Sequence, residues 1–160
     1  MKKNILKFAV FLLLTSCLFS KGVKKDLTTG LSTSYNGFAI ESISVVDADN
    51  KSLSSNEVAL DSKFSILFEG IENYELKNEK AFPGLSLQVT DAEGKDVISE
   101  SDLLASYTDG VATADASVLS GSVTVGNPMV SGKTYHCKVR IFDKNKAKSE
   151  IVADMDFKVK

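Results

Sequence analysis

The chain has 160 residues, 43% of them apolar and 25% charged, with a formal net charge of −2. That composition belongs to an ordinary folded domain and excludes a disordered polyelectrolyte. It supplies no concentrated basic face, so no nucleic-acid partner is expected.

The first residues read as an export signal. Lys2 and Lys3 form a positive start, and Phe8 to Leu14 is a continuous apolar run. That run is far short of the roughly 20 apolar residues a membrane-spanning helix needs, and it fits the apolar core of a secretory signal. The segment Leu14-Thr15-Ser16-Cys17 that follows resembles the lipobox of bacterial lipoproteins. The resemblance implies cleavage before Cys17 and attachment of diacylglycerol to its sulfur. It also implies acylation of the new amine. Two or three acyl chains give durable anchoring where one is marginal. Leu18, in place of Asp, implies an outer-membrane destination by the sorting pattern of many Gram-negative lipoproteins. The expected organisation is a signal peptide over 1–16, a lipidated flexible tether over 17–36 and a folded domain over 37–160.

Removal of the signal takes Lys2, Lys3 and Lys7 with it, so 16 basic and 21 acidic side chains remain, a balance of −5. Such a net charge gives no reason for the domain to seek anionic lipid, and the lipid anchor is the expected membrane contact. The two cysteines are Cys17 and Cys137. With Cys17 acylated, no intramolecular disulfide is available, and stability must come from a hydrophobic core. Residues 18–36 lack an apolar period and carry Lys, Gly and a Ser/Thr patch, which reads as linker.

From Gly37 the pattern becomes short strands of period two. Strands are expected at Ile40–Asp47, Lys63–Glu69, Leu85–Val89 with a return at Val97–Ile98, and Val118–Val125, with a short edge piece at Val58–Leu60. Ser99–Ala105 reads as a helical turn capped by Ser or Asp. The clearest signal is a C-terminal hairpin. Tyr135, Cys137, Val139 and Ile141 alternate with His136, Lys138 and Arg140, and Ile151 to Val159 alternate likewise around a turn at Asp143–Lys146. Seven or eight such strands without a long helix predict an all-β antiparallel sandwich, immunoglobulin-like or fibronectin-like, with a small closed barrel as the alternative. The domain is similar in outline to small immunoglobulin-like lipoproteins of Gram-negative bacteria.

No catalytic constellation stands out. His136 is the only histidine, lies on a polar strand face and has no nucleophile motif beside it. Cys137 is placed inward, where a thiol acts as a small hydrophobe. Asp47, Asp49 and Asn50 in one turn are candidate calcium ligands, as are Asp91, Glu93 and Asp96 in another. An EF-hand is excluded, since Ser52 and Val58 stand where its glycine and closing glutamate belong, and these acids favour turns on their own account. Phe82, Pro83, Pro128 and Met129 are candidate recognition-loop residues, with plugging of the core ends as the plainer reading. The chain has no Trp, which weighs against an aromatic-lined sugar cleft. The expected function is therefore a non-enzymatic, envelope-anchored binding or assembly-support module with a protein or glycan partner and no cofactor. A hydrolase using paired carboxylates and a calcium-dependent adhesion module are the alternatives.

Overall fold

A computed structural model describes residues 21–160. The expected signal peptide and Cys17 lie outside the described residues. The elements in chain order are β1 (Lys21–Lys25), β2 (Ser32–Asn36), β3 (Ser42–Asp47), β4 (Glu57–Val58), β5 (Lys63–Glu69), β6 (Pro83–Thr90), β7 (Asp96–Glu100), α1 (Thr113–Ala116), β8 (Val118–Thr124), β9 (Thr134–Asp143) and β10 (Glu150–Val159).

Two sheets face each other. One runs β1-β2-β10-β9-β6-β7, and the other runs β3-β5-β8. Every pairing is antiparallel except that of β4, which lies parallel to the end of β10. From Gly37 onward the chain contributes eight strands, in the all-β sandwich the alternation predicts. The chain passes from the small sheet to the large one after β3, after β5 and after β8.

The core follows directly from the period-two pattern. Phe64, Ile66 and Phe68 of β5 meet Val139, Ile141, Ile151, Met155 and Phe157 across the inter-sheet space, and all are buried. Phe64 and Phe157 pack edge to face with ring centroids 5.0 Å apart. Because side chains alternate along a strand, a one-residue slip would turn this whole set outward, so the core fixes the register. The β9–β10 ladder has an unbroken register from Glu150 opposite Phe142 to Lys158 opposite Thr134.

Two expectations are corrected. Residues 21–36 are not a flexible tether: β1 and β2 form a hairpin, and β2 pairs with β10 from Glu150 opposite Asn36 to Asp154 opposite Ser32. The pairing satisfies the free edge of β10, and the hairpin adds Leu31 and Tyr35 to the core. Of the linker-like residues of β2, Ser34 is exposed while Thr33 is buried, its hydroxyl donating to the Lys24 carbonyl at 3.4 Å. The predicted helical turn over 99–105 is likewise absent. Ser99 and Glu100 belong to β7, and Asp102 opens a turn in which its Oδ1 accepts the Leu104 N–H at 2.9 Å. The capping chemistry is present in a different backbone. The short helix lies further on, at α1.

Candidate functional site

The sandwich has two ends, and the sequence candidates divide between them. Phe82 and Pro83 lie at the end where β6 begins, beside the β9–β10 turn; Pro83 is opposite Asp143. Pro128 and Met129 lie at the other end, before β9. Met129 is buried in the core, whereas Pro128 is exposed. The four residues therefore do not form one patch. Pro128 lines, with Val130, Tyr135 and the Asp91–Asp96 turn, an open groove of about 300 Å³.

The two acidic turns have the same construction. Asp47 Oδ1 accepts the N–H groups of Asp49 and Lys51, each at 2.9 Å. Asp91 Oδ1 does the same for Glu93 at 3.1 Å and Lys95 at 2.9 Å. Each turn closes through a residue with positive φ, Asn50 at 61° and Gly94 at 79°. Asp47-Ala-Asp-Asn-Lys51 and Asp91-Ala-Glu-Gly-Lys95 are thus two copies of one hairpin device, in which Oδ1 of the leading carboxylate accepts two backbone N–H groups. Among the described residues, no group of three or more His, Cys, Asp or Glu side chains is gathered as a metal site.

His136 lies on the outer face of the large sheet, its Nδ1 2.8 Å from Asp156 Oδ1 on β10. Beyond Lys138 on this face, Arg140 bonds Glu150 at 2.7 Å and lies over the Phe142 ring at 4.7 Å. Gly84 makes that arrangement possible, because a Cβ there would occupy the space of the Phe142 ring. Cys137 points the other way, into the core. Burial, with a further push from Asp154, raises its thiol to about 12. A thiol held protonated is a poor nucleophile and a poor metal ligand.

The most heavily constructed region is the end of the sandwich around the β9–β10 turn. Asp143 is buried. Its Oδ2 accepts the Glu75 N–H at 2.7 Å, and its Oδ1 accepts the Asn145 N–H at 2.9 Å. Asn145 Nδ2 in turn donates to the Glu75 carbonyl at 3.0 Å. Beside it, Lys144 pairs with Asp102 at 2.8 Å and donates to the Leu104 carbonyl at 2.9 Å. Burial pushes the Asp102 carboxyl up, but the Lys144 bond and the N–H groups of Leu85 and Leu104 outweigh it and hold it below the usual carboxylate value. Tyr74 completes the buttress by donating to the Ala116 carbonyl at 3.0 Å; its burial and the nearby Asp143 charge raise its hydroxyl.

These contacts join the 71–82 loop, the 101–107 turn and the β9–β10 turn into one rigid end. Sequence reading missed it. Its only local trace is the alternation Lys144-x-Lys146-x-Lys148, which reads as an ordinary polar turn. Neither a protein-family model nor a curated protein matches the chain.

Proposed function

We propose that this protein is a lipid-anchored component of the bacterial cell envelope, acting as a non-enzymatic binding or assembly-support module in the outer membrane. The observation that carries the reading is Leu14-Thr15-Ser16-Cys17 directly after an apolar signal core. The disposition of the reactive side chains supports it. The thiol of Cys137 is enclosed, the leading carboxylates of the acidic turns are committed to backbone N–H groups, and His136 is held in a surface pair. A stiff sandwich of this kind presents loops and faces rather than a reaction cleft.

Mass spectrometry of the chain isolated from membranes tests the anchor. The expected N-terminus is Cys17 carrying a diacylglyceryl thioether, and Cys17→Ala should move the protein to the soluble fraction. An unacylated Cys17, or cleavage elsewhere, overturns the anchoring. Cross-linking in intact cells tests the binding role and should recover a discrete envelope protein or glycan. Failure to recover any partner, together with turnover of a glycan by the purified protein, overturns that role.

A further inference from the structure

We infer that the end of the sandwich carrying the β9–β10 turn lies flat on the phospholipid surface, so that the domain is docked to the bilayer rather than hanging from it. The inference rests on the lipid-anchor reading above.

The first observation is where the described chain starts. Lys21 is opposite Asn36, Asn36 is opposite Glu150, and Glu150 is opposite Phe142, the last ladder row before the β9–β10 turn. Only four residue steps separate Lys21 from Cys17, a reach of about 14 Å even when fully extended. With residues 21–36 bound into the sheet, the distance available to the domain is set by those steps and not by a tether of twenty residues. The end at which Lys21 enters must therefore stay beside the headgroups.

The second observation is what that end carries. Leu76, Leu103 and Tyr107 are 49%, 45% and 50% exposed. All three belong to the segments that the Asp143 and Lys144 contacts tie to the turn. Tyr and Leu side chains on a rigid support suit the boundary between headgroups and acyl chains.

The third observation is charge. Lys146 and Lys148 project from the exposed turn, and Lys21 stands at the edge of the same row. Among the described residues, none of the three is within ion-pair distance of a carboxylate. Three acids of this end are otherwise engaged: Asp102 with Lys144, Glu150 with Arg140, and Asp143 with backbone N–H groups. Glu41, Glu69, Glu72, Glu75, Glu79, Asp109 and Asp115 also lie at this end, with Lys77 and Lys80, so the end as a whole carries no positive excess. The basic feature is local: Lys21, Lys146 and Lys148, unpaired among the described residues, stand at the β1 edge and the β9–β10 turn, the place nearest the anchor. Lysines so placed match anionic headgroup phosphates, each contributing on the order of a fivefold gain in surface affinity.

The natural absence of Trp makes the test direct. The full, acylated protein is reconstituted in phosphatidylethanolamine–phosphatidylglycerol vesicles with brominated acyl chains. It carries a single tryptophan either at the near end (Leu103→Trp or Tyr107→Trp) or at the far end (Val130→Trp or Leu60→Trp). Near-end tryptophans should shift to the blue and be quenched, while far-end ones should not. K21E/K146E/K148E should lower near-end quenching by at least about tenfold in docking equilibrium, and neutral phosphatidylcholine should act in the same direction. Equal quenching at both ends, or none at the near end of protein that floats with vesicles and is acylated by mass, overturns the docking and leaves the anchor standing. Protein that neither floats nor carries lipid overturns the anchor and the docking with it.

Discussion

Cys137 and His136 are neighbours in sequence with opposite fates, because successive residues of a strand face opposite sides of the sheet. The thiol is fully buried and its protonated form strongly favoured. Native protein at pH 8 should therefore leave Cys137 unlabelled by iodoacetamide over the time in which an exposed thiol reacts fully, and denatured protein should take up one label per acylated chain. A second label would report a free Cys17. Asp102 makes a different prediction. Its folded carboxyl lies below the ordinary 3.8, so between the two values the unfolded chain binds more protons than the folded one. The stabilisation is then fully present above about pH 4 and is lost as pH falls through the folded value. Melting curves from pH 7 to pH 2 should show wild type and Asp102→Asn converging in the acid range. A stability gap unchanged at pH 2 would assign the effect to packing. The pair is partly exposed, and screening keeps its contribution modest.

At the level of elements, the β9–β10 turn depends on one buried carboxylate. Truncating Asp143 leaves two backbone N–H groups without their acceptor, and bonds to a charged acceptor of this kind are worth about 1.5–3 kcal/mol. Asp143→Ala should thus lower stability by about 2–3 kcal/mol in urea unfolding and should loosen the 71–82 loop, seen as faster amide exchange at Glu75. Neither the partner of Asp143 nor that of Asp102 was legible in the sequence, since each lies tens of residues away and only the sheet order brings them together. What was legible is local. The strands of β5, β6, β8, β9 and β10 follow from alternation, and their inward sets are the buried ones. The β1–β2 hairpin escaped because its composition is that of a linker. Its Ser32-Thr33-Ser34 run carries little apolar signal, and its membership of the sheet is decided by the free edge of β10 more than a hundred residues later. The separation of the candidate recognition residues escaped for the same reason: Phe82 and Pro128 both lie next to strands, and strand order alone sends them to opposite ends.

For the molecule as a whole, and on the proposed anchoring at Cys17, the same hairpin sets how far the domain can stand from the membrane. A chain of four flexible residues has a typical end-to-end distance of about 10–12 Å, and one of sixteen about 20–24 Å. The effective concentration of a tethered surface falls roughly as the −3/2 power of tether length, so a fourfold longer link dilutes the docked end about eightfold. Inserting twelve Gly/Ser residues between Ser20 and Lys21 should therefore reduce near-end tryptophan quenching on anionic vesicles by about that factor. The core does not reach that junction, so thermal unfolding of the sandwich should be unchanged. The insertion also separates two ways of holding an end against a bilayer. If the lysines and apolar side chains bind the surface strongly in their own right, quenching survives the longer link and disappears only with K21E/K146E/K148E. If the short connection does the holding, the insertion alone is sufficient. Loss of quenching that requires both changes would mean that anchor and surface each contribute, the arrangement expected when one weak contact is made effective by another.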